Sequence, residues 1–227
     1  MSVEINKLEL LKAMFAMQDS FNKQVHPEWK TQNYAWHEAI LVESAELIEH
    51  LGYKWWKHQE PNIDQVVMEL VDIWHFAMSY MIGVSTDGVE YEEILDSLDG
   101  VENDFKTLSP AEIRSDICEI VNNITFQDPY ERAFCNESFF AVWYGLGNNF
   151  ADLYKMYIGK NALNIFRQNN GYKEGTYVKI WNDREDNEFL TDYLAVADIN
   201  EKLMSNVLEY LQDIYSHRDE FVYPTIT

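Results

Sequence analysis

Two acidic residues interrupt an otherwise apolar stretch, VVMELVDIWHF at residues 66–76. Glu69 and Asp72 lie three residues apart, so on a helix they project from one face with Cβ atoms ~5–6 Å apart. Acids inside a core segment are costly unless they are paired or bound to a metal. The stretch therefore predicts a buried helix whose two carboxylates have a functional reason to be there.

A second acidic pair precedes this stretch in another segment with helical character. Glu43 and Glu46 form an ExxE motif, the counterpart of the ExxD motif of Glu69 and Asp72. If the two helices run antiparallel, four carboxylates meet in a set of hard oxygen ligands suited to Mg²⁺ or Mn²⁺. The alternative is that ExxE forms only a solvated helix face. The apolar surroundings of the ExxD motif favour the metal site.

The remainder of the chain indicates an all-α fold, since strand-like alternation is scarce and only 9 Gly and 5 Pro occur in 227 residues. A single domain over residues 1–227 is predicted, a helical bundle with antiparallel helices, with residues 85–150 as its least distinctive helical region. A loop is predicted at residues 169–177. The predicted helices are Ile5–Gln24, Ala35–Leu51 before Gly52, Asp64–Ile82 with Asp64 as N-cap and Gly83 as C-terminal stop, Tyr91–Leu98, Pro110–Ile124, Ser138–Phe166 with a break at 145–147, and Ile199–Tyr215.

The charge and the composition exclude several classes of protein. With 39 acidic and 17 basic side chains, the net charge of −22 argues against binding to DNA, RNA or an anionic membrane. The sequence contains no secretion signal and no run of about 18 apolar residues, so we expect no membrane span. Cys118 and Cys135 form no CxxC pattern, which favours a reduced, cytoplasmic compartment.

Basic residues are scarce, and two of them share a helical stripe with an amide. Lys160, Asn164 and Arg167 follow one another at i, i+4 and i+7. Cationic side chains beside amide and phenol donors can hold a triphosphate. The alternative is an exposed helix face, but the loop that follows favours the phosphate site because it adds further donors, among them Asn169, Asn170, Tyr172 and Lys179.

A third group of residues is suited to recognise a base. Gln18 and Asn22 lie at i and i+4, and each amide offers both a donor and an acceptor. Trp56, His75 and Phe76 supply flat surfaces for stacking, although such aromatic residues also serve as core. No G-x-S-x-G elbow, Walker A loop or HExxH motif indicates a different chemistry.

Taken in order along the chain, these motifs resemble those of the dimeric all-α dUTPases, which belong to the MazG-like nucleoside triphosphate pyrophosphatases. The ExxE and ExxD motifs are common to that whole superfamily. The more diagnostic part is the run YIGKNALNIFRQNNGYK at residues 157–173. The resemblance extends from Gln18 to Asn187 and is poorest over residues 85–150. It implies the all-α NTP pyrophosphatase fold.

The resemblance also implies an activity, the Mg²⁺-dependent hydrolysis of dUTP, and of dUDP, to dUMP with release of pyrophosphate or phosphate. Two or three Mg²⁺ ions, or Mn²⁺, would be held by Glu43, Glu46, Glu69 and Asp72. The catalytic residues would be Glu46, which orients or deprotonates the attacking water, with Lys160 and Arg167. Phosphates and sugar would be bound by Lys160, Asn164, Arg167, Tyr172 and Lys179, with Asp186 or Asn187 completing the site. Uracil would be bound by Gln18, Asn22, Trp56, His75 and Phe76.

The implied partner is a deoxynucleotide substrate, with no nucleic acid and no membrane. The implied assembly is a homodimer in the cytoplasm of a bacterial cell or a phage-infected host. Two alternatives remain at the level of the sequence. One is a phage-type dCTP/dUTP pyrophosphatase of broader specificity, because related phage enzymes share the Asn-Gly-Tyr loop. The other is a non-catalytic protein that uses its acidic surface to occupy a partner's basic site.

Overall fold

A computed structural model of the chain describes residues 6–127 and 131–218. Within these ranges the chain forms nine α-helices and one short antiparallel hairpin, which confirms the predicted all-α class. The helices are α1 Lys7–Val25, α2 Trp36–His50, α3 Ile63–Val84, α4 Tyr91–Asp104, α5 Pro110–Val121, α6 Asn136–Gly145, α7 Phe150–Asn169, α8 Asp186–Val196 and α9 Leu203–Ser216. The hairpin pairs β1 Ile180–Trp181 with β2 Arg184–Glu185, and a π-helical turn, Asn122–Phe126, follows α5.

The described residues form two compact units, divided inside α7 between Tyr154 and Lys155. The first contains α1 to α6 and the beginning of α7. The second contains the remainder of α7, the hairpin, α8 and α9. The single domain over residues 1–227 stays a prediction.

In the first unit, α2 and α3 run antiparallel, as the carboxylate motifs required. The Trp36 ring at the start of α2 lies 6.1 Å from the Phe76 ring in the later part of α3. At the other end of α2, the His50 carbonyl accepts a 2.9 Å hydrogen bond from the Asn62 backbone N–H, just before α3 begins. The opposed chain directions bring the ExxE and ExxD faces into one pair of helices.

The core of the first unit is built around α3. Trp74 is fully buried and stacks on Phe139 of α6, with ring centroids 5.0 Å apart. Phe15 of α1 meets the Trp74 ring edge-on at 6.1 Å. By length and composition α3 could cross a membrane, but 67% of its most apolar window is buried inside the protein, as in a core helix.

Both predicted ends of α3 were wrong. Asn62, not Asp64, is the N-cap, because its side chain accepts the Gln65 backbone N–H at 3.3 Å. Asp64 instead lies in the first turn, where a negative charge favours the helix dipole. Gly83 does not end the helix, which continues to Val84 before an extended Ser85. Gly83 keeps a helical backbone conformation. The presence of a glycine was therefore not sufficient to predict where the helix ends.

Several other helices also begin or end at residues that differ from the predicted bounds. The helix predicted at Tyr91–Leu98 continues to Asp104, and Leu98 is one of its two buried residues. The helix predicted to reach Ile124 changes after Val121 into the π-helical turn. The predicted break at residues 145–147 is confirmed, since α6 ends at Gly145 and Gly147 has a φ of +89°. Ile5, the predicted start of the first helix, lies outside the described residues.

The second unit holds elements that the sequence analysis did not predict. Residues 170–179 form the predicted loop, but β1, β2 and α8 follow it where no element was expected. α8 begins with a capping box in which Glu185 and Glu188 each bond the other's backbone N–H. α9 begins at Leu203 instead of Ile199. A two-residue strand and an eleven-residue helix carry too little periodic signal to be recognised from sequence.

Candidate functional site

Three carboxylates lie together between α2 and α3. Ligand oxygens of Glu43, Glu69 and Asp72 all fall within 4.8 Å of one another. Glu69 is only 5% exposed, and the other two are half-buried. The structure thus brings together three of the four predicted metal ligands. The fourth, Glu46, is exposed and is not a member of this three-residue cluster.

Glu43 shows the electrostatic consequence of this crowding. Burial raises the pKa of the Glu43 carboxyl to about 8, helped by the negative charges of Asp72, Glu69 and Glu46 and by a hydrogen bond to Glu69. Burial and the neighbouring carboxylates therefore favour the protonated form of Glu43, as expected of a site suited to receive positive charge. Divalent cations with a preference for hard oxygen ligands, such as Mg²⁺ and Mn²⁺, fit this set of donors.

The sequence analysis missed His50, which lies beside the cluster. His50 Nε2 is 3.5 Å from Glu69 Oε1, at the last residue of α2. Carboxylates that bind metals are commonly oriented by a neighbouring polar group of this kind. A signal was present in the spacing, because His50 follows Glu43 by seven residues and Glu46 by four, which places all three on one helix face.

Gln18 and Asn22 of α1 are joined to α3 through Ser79. Gln18 Nε2 donates to Asn22 Oδ1 and to Ser79 Oγ, both at 3.1 Å, and Asn22 Nδ2 donates to Ser79 Oγ at 3.0 Å. All three side chains are buried. Ser79 was not predicted, although it follows Asp72 by seven residues and therefore shares its helix face. The predicted base-binding amides are thus tied to the helix that carries the ExxD motif.

The aromatic residues predicted to contact the base differ in their environments. His75 is buried, and its Nδ1 lies 2.7 Å from the Val71 carbonyl oxygen. Phe76 is half-buried and faces the Trp36 ring. Trp56 is 59% exposed in the loop after α2. The first two are positioned by α3, whereas Trp56 is contacted by the nearly perpendicular rings of Tyr53 and Trp55.

The second unit contains the predicted phosphate-binding residues. Lys160 is 2% exposed and donates from Nζ to Asn187 Oδ1 at 3.0 Å. Arg167 donates from Nε and Nη2 to the two carboxylate oxygens of Asp186, at 2.8 and 2.7 Å. Arg167 Nη2 also reaches Asn187 Oδ1 at 3.3 Å. α7 supplies the two cations and the first turn of α8 supplies their partners, so both Asp186 and Asn187 join one network.

The remaining predicted residues of this unit surround the network. Asn164 is half-buried on the same helix, and the Tyr172 ring lies 6.0 Å from the Arg167 guanidinium carbon. Lys179 forms a 2.9 Å ion pair with Glu185. Tyr172 and Lys179 are therefore placed by contacts within the second unit.

Tyr177 is the functional candidate that sequence reasoning missed in the second unit. Its hydroxyl donates to Asp186 Oδ2 at 2.8 Å. Burial, followed by the negative charge of Asp186, raises the pKa of the Tyr177 hydroxyl well above its usual range. The position of Tyr177 in the predicted loop, among other hydrogen-bond donors, could have indicated a functional role. The spacing of the sequence did not indicate that Asp186 is its partner.

Comparison with known families agrees with these features. A family model described as dUTPase matches residues 10–172, more than two thirds of the chain. The matched part includes all four predicted metal ligands together with Lys160 and Arg167, and it ends before Asp186 and Asn187. No curated protein matches the sequence significantly.

Proposed function

Because the chain belongs to the dUTPase family and is a dUTP diphosphatase, we propose that its hydrolysis of dUTP to dUMP and pyrophosphate depends on Mg²⁺. We also propose that it accepts dUDP as a substrate. The observation that carries the proposal is the cluster of Glu43, Glu69 and Asp72. Three carboxylates crowded in a partly buried position, one of them with a pKa raised to about 8, suit divalent cations that neutralise them.

In this proposal Glu43, Glu69 and Asp72 hold two or three Mg²⁺ ions, together with Glu46, and Mn²⁺ can replace Mg²⁺. When bound, the ions supply a coordinated water of lowered pKa and neutralise phosphate charge. Glu46 differs from the three clustered acids because it is exposed. We assign it the role of general base, which orients the attacking water, accepts its proton and releases that proton to solvent.

Lys160 and Arg167 neutralise the charge that grows on the leaving phosphate. Water attacks in line, so a new P–O bond forms as the bridging P–O bond breaks. The resemblance favours attack at the β-phosphorus, which also accounts for dUDP as a substrate. The remaining donors to phosphate and sugar are assigned to Asn164, Tyr172, Lys179 and Asn187, with Asp186 fixing Arg167.

The uracil is assigned to Gln18 and Asn22, with Trp56, His75 and Phe76 around the ring. An amide offers a donor and an acceptor, as the uracil edge requires. The Asn-Gly-Tyr loop at residues 170–172, which is similar to that of related phage enzymes, supports a second candidate function, a dCTP/dUTP pyrophosphatase of broader specificity.

We further propose that the enzyme acts as a homodimer in the cytoplasm of a bacterial cell or a phage-infected host. Size measurement by light scattering tests the assembly, with a mass near twice 26.8 kDa expected. A monomer at micromolar concentration would contradict it.

The decisive experiment measures pyrophosphate and phosphate release from dUTP, dUDP and dCTP, with Mg²⁺ and with a chelator. We expect release from dUTP and dUDP that depends on Mg²⁺. Comparable rates with dCTP would replace strict dUTP specificity by the broader activity, and turnover unaffected by the chelator would refute the metal dependence. Hydrolysis in ¹⁸O-labelled water then identifies the attacked phosphorus, since β attack places the label in pyrophosphate.

A further inference from the structure

Asp186 is a fully buried acid in the described part of the second unit. Its side chain is completely buried, yet it accepts three side-chain hydrogen bonds. Two come from Arg167, at 2.8 and 2.7 Å, and the third comes from the Tyr177 hydroxyl at 2.8 Å. Oδ2 receives both the Arg167 Nε–H and the Tyr177 O–H. The carboxylate is therefore held by donors from two separate segments, α7 and the loop before β1.

Tyr177 is itself held by an aromatic cluster from separate elements. Its ring stacks on Tyr215 of α9, with centroids 5.4 Å apart and an interplanar angle of 16°. Phe166 and Trp181 meet it edge-on at 6.2 and 6.4 Å. Phenylalanine would fill the same ring position, so packing by itself does not explain a hydroxyl at Tyr177. The hydroxyl has one specific use here, which is to bind Asp186.

We propose that Tyr177 is a positioning residue that acts through Asp186 to hold the Arg167 guanidinium in the orientation that binds substrate phosphate. The inference rests on the proposed role of Arg167. It goes beyond that role because Tyr177, Asp186 and Tyr215 all lie outside the part of the chain that the family model matches.

The physical reason is preorganisation. An arginine side chain has many rotamers, and immobilising it only when the substrate arrives weakens binding. The bidentate contact with Asp186 orders Arg167 in advance, and the Tyr177 hydroxyl keeps the carboxylate from rotating. Without that hydroxyl, Asp186 Oδ2 loses one donor in a buried position, and its geometry relative to Arg167 relaxes.

The test compares two single hydroxyl deletions from the same stacked pair, Tyr177→Phe and Tyr215→Phe. The Tyr215 hydroxyl accepts the Val178 backbone N–H at 3.4 Å and takes no part in the Asp186 network. We would measure kcat and KM for dUTP, the affinity for pyrophosphate by calorimetry, and Tm. We expect Tyr177→Phe to lower kcat/KM and pyrophosphate affinity about tenfold, the scale of a lost hydrogen bond to a charged group. Tyr215→Phe should stay within about twofold of wild type.

A double-mutant cycle with Arg167→Lys separates positioning from general loss of structure. If Tyr177 acts through Arg167, the double variant should be no worse than Arg167→Lys alone. Losses that multiply, equal losses in the two hydroxyl deletions, or a Tyr177→Phe variant with wild-type kcat/KM would each overturn the proposal. So would an Arg167→Lys variant of full activity.

The proposed function can fail separately from this inference. Its failure would appear in the wild-type protein as no hydrolysis of dUTP. Pyrophosphate binding requires no turnover, so calorimetry on the two hydroxyl deletions still decides the positioning role in that case. Equal pyrophosphate affinity in the two variants would contradict it.

Discussion

The Glu43 carboxyl on α2 is hydrogen-bonded to Glu69 on α3, and burial together with the neighbouring negative charges raises the pKa of Glu43 to about 8. Asp72 stands within 4.8 Å of both and adds a further negative charge. A proton and a divalent cation compete for the same oxygens, because metal ligands must be deprotonated. The pair therefore links pH, folding stability and metal binding in one place.

The stability of the metal-free protein should fall as pH rises. The pKa of Glu43 is raised from 4.5 to about 8 in the folded state, so between these values the folded chain binds more protons than the unfolded chain. We expect a loss of about 1–2 kcal/mol over that window, and the Glu43→Gln variant should lose less. Urea unfolding with a chelator at pH 5.5 and pH 8.5 measures this. Equal losses in wild type and variant would assign the pH dependence to other groups.

The Glu69→Gln variant should lose metal binding while it retains its fold. The amide keeps the shape of the side chain but removes the charge from the most buried member of the cluster. We expect at least about a hundredfold weaker Mn²⁺ binding by calorimetry, and a comparable loss of kcat. Glu92→Gln removes an exposed acid of α4 and serves as the control. A variant with wild-type Kd for Mn²⁺ would exclude Glu69 as a ligand.

The Glu46→Gln variant should lose turnover while it retains its fold. As the proposed general base, Glu46 should contribute about 10²–10³-fold to kcat. Its exposure predicts that Tm will remain close to wild type. Glu38→Gln, an exposed acid on the same helix, is the matched control. Near-normal turnover of the Glu46 variant would show that another group accepts the proton.

His50 should tune the metal site without being required for the fold. Its Nε2 lies 3.5 Å from Glu69 Oε1, so His50→Ala removes a group that orients this carboxylate. We expect the Kd for Mn²⁺ to rise about tenfold, as for other residues that orient metal ligands. The control is His58→Ala, because His58 is exposed and contacts only the exposed Glu60 among the ion pairs in the described residues. Equal changes in the Kd for Mn²⁺ in the two variants would indicate a nonspecific effect of removing an imidazole.

Ser79 should affect base recognition through Gln18 and Asn22. Ser79→Ala removes the hydroxyl oxygen that accepts a hydrogen bond from both amides, at a cost of about 1–3 kcal/mol in stability. We expect a higher KM for dUTP and a changed ratio of dUTP to dCTP turnover, with kcat less affected. Ser97→Ala is the matched control. The Ser97 hydroxyl, like that of Ser79, donates to the carbonyl oxygen four residues earlier, but it lies on an exposed face. A turnover ratio unchanged from wild type would exclude Ser79 from base selection.

Local spacing made much of this protein predictable. The ExxE and ExxD motifs placed their acids on helix faces, and the apolar residues around Glu69 indicated that one of those faces is buried. Pro110 at the start of α5 and the glycines at the break between α6 and α7 marked helix ends correctly. These inferences succeed because they depend on residues within one or two helical turns of each other.

Contacts between distant segments could not be predicted in this way. The sequence does not distinguish the four acids of the ExxE and ExxD motifs from one another. Only the packing of α2 on α3 placed Glu43 in the cluster and left Glu46 exposed. Packing likewise selected Ser79 as the partner of Gln18 and Asn22.

The sequence by itself determined the helical class, the residue types of the site and the face that each occupies on its own helix. Only the tertiary structure decided which side chains meet, as Asp186 does with Arg167 and Tyr177. The physical reason is that a helix fixes directions about its own axis, whereas its rotation and distance relative to another helix depend on the sum of many weak apolar contacts.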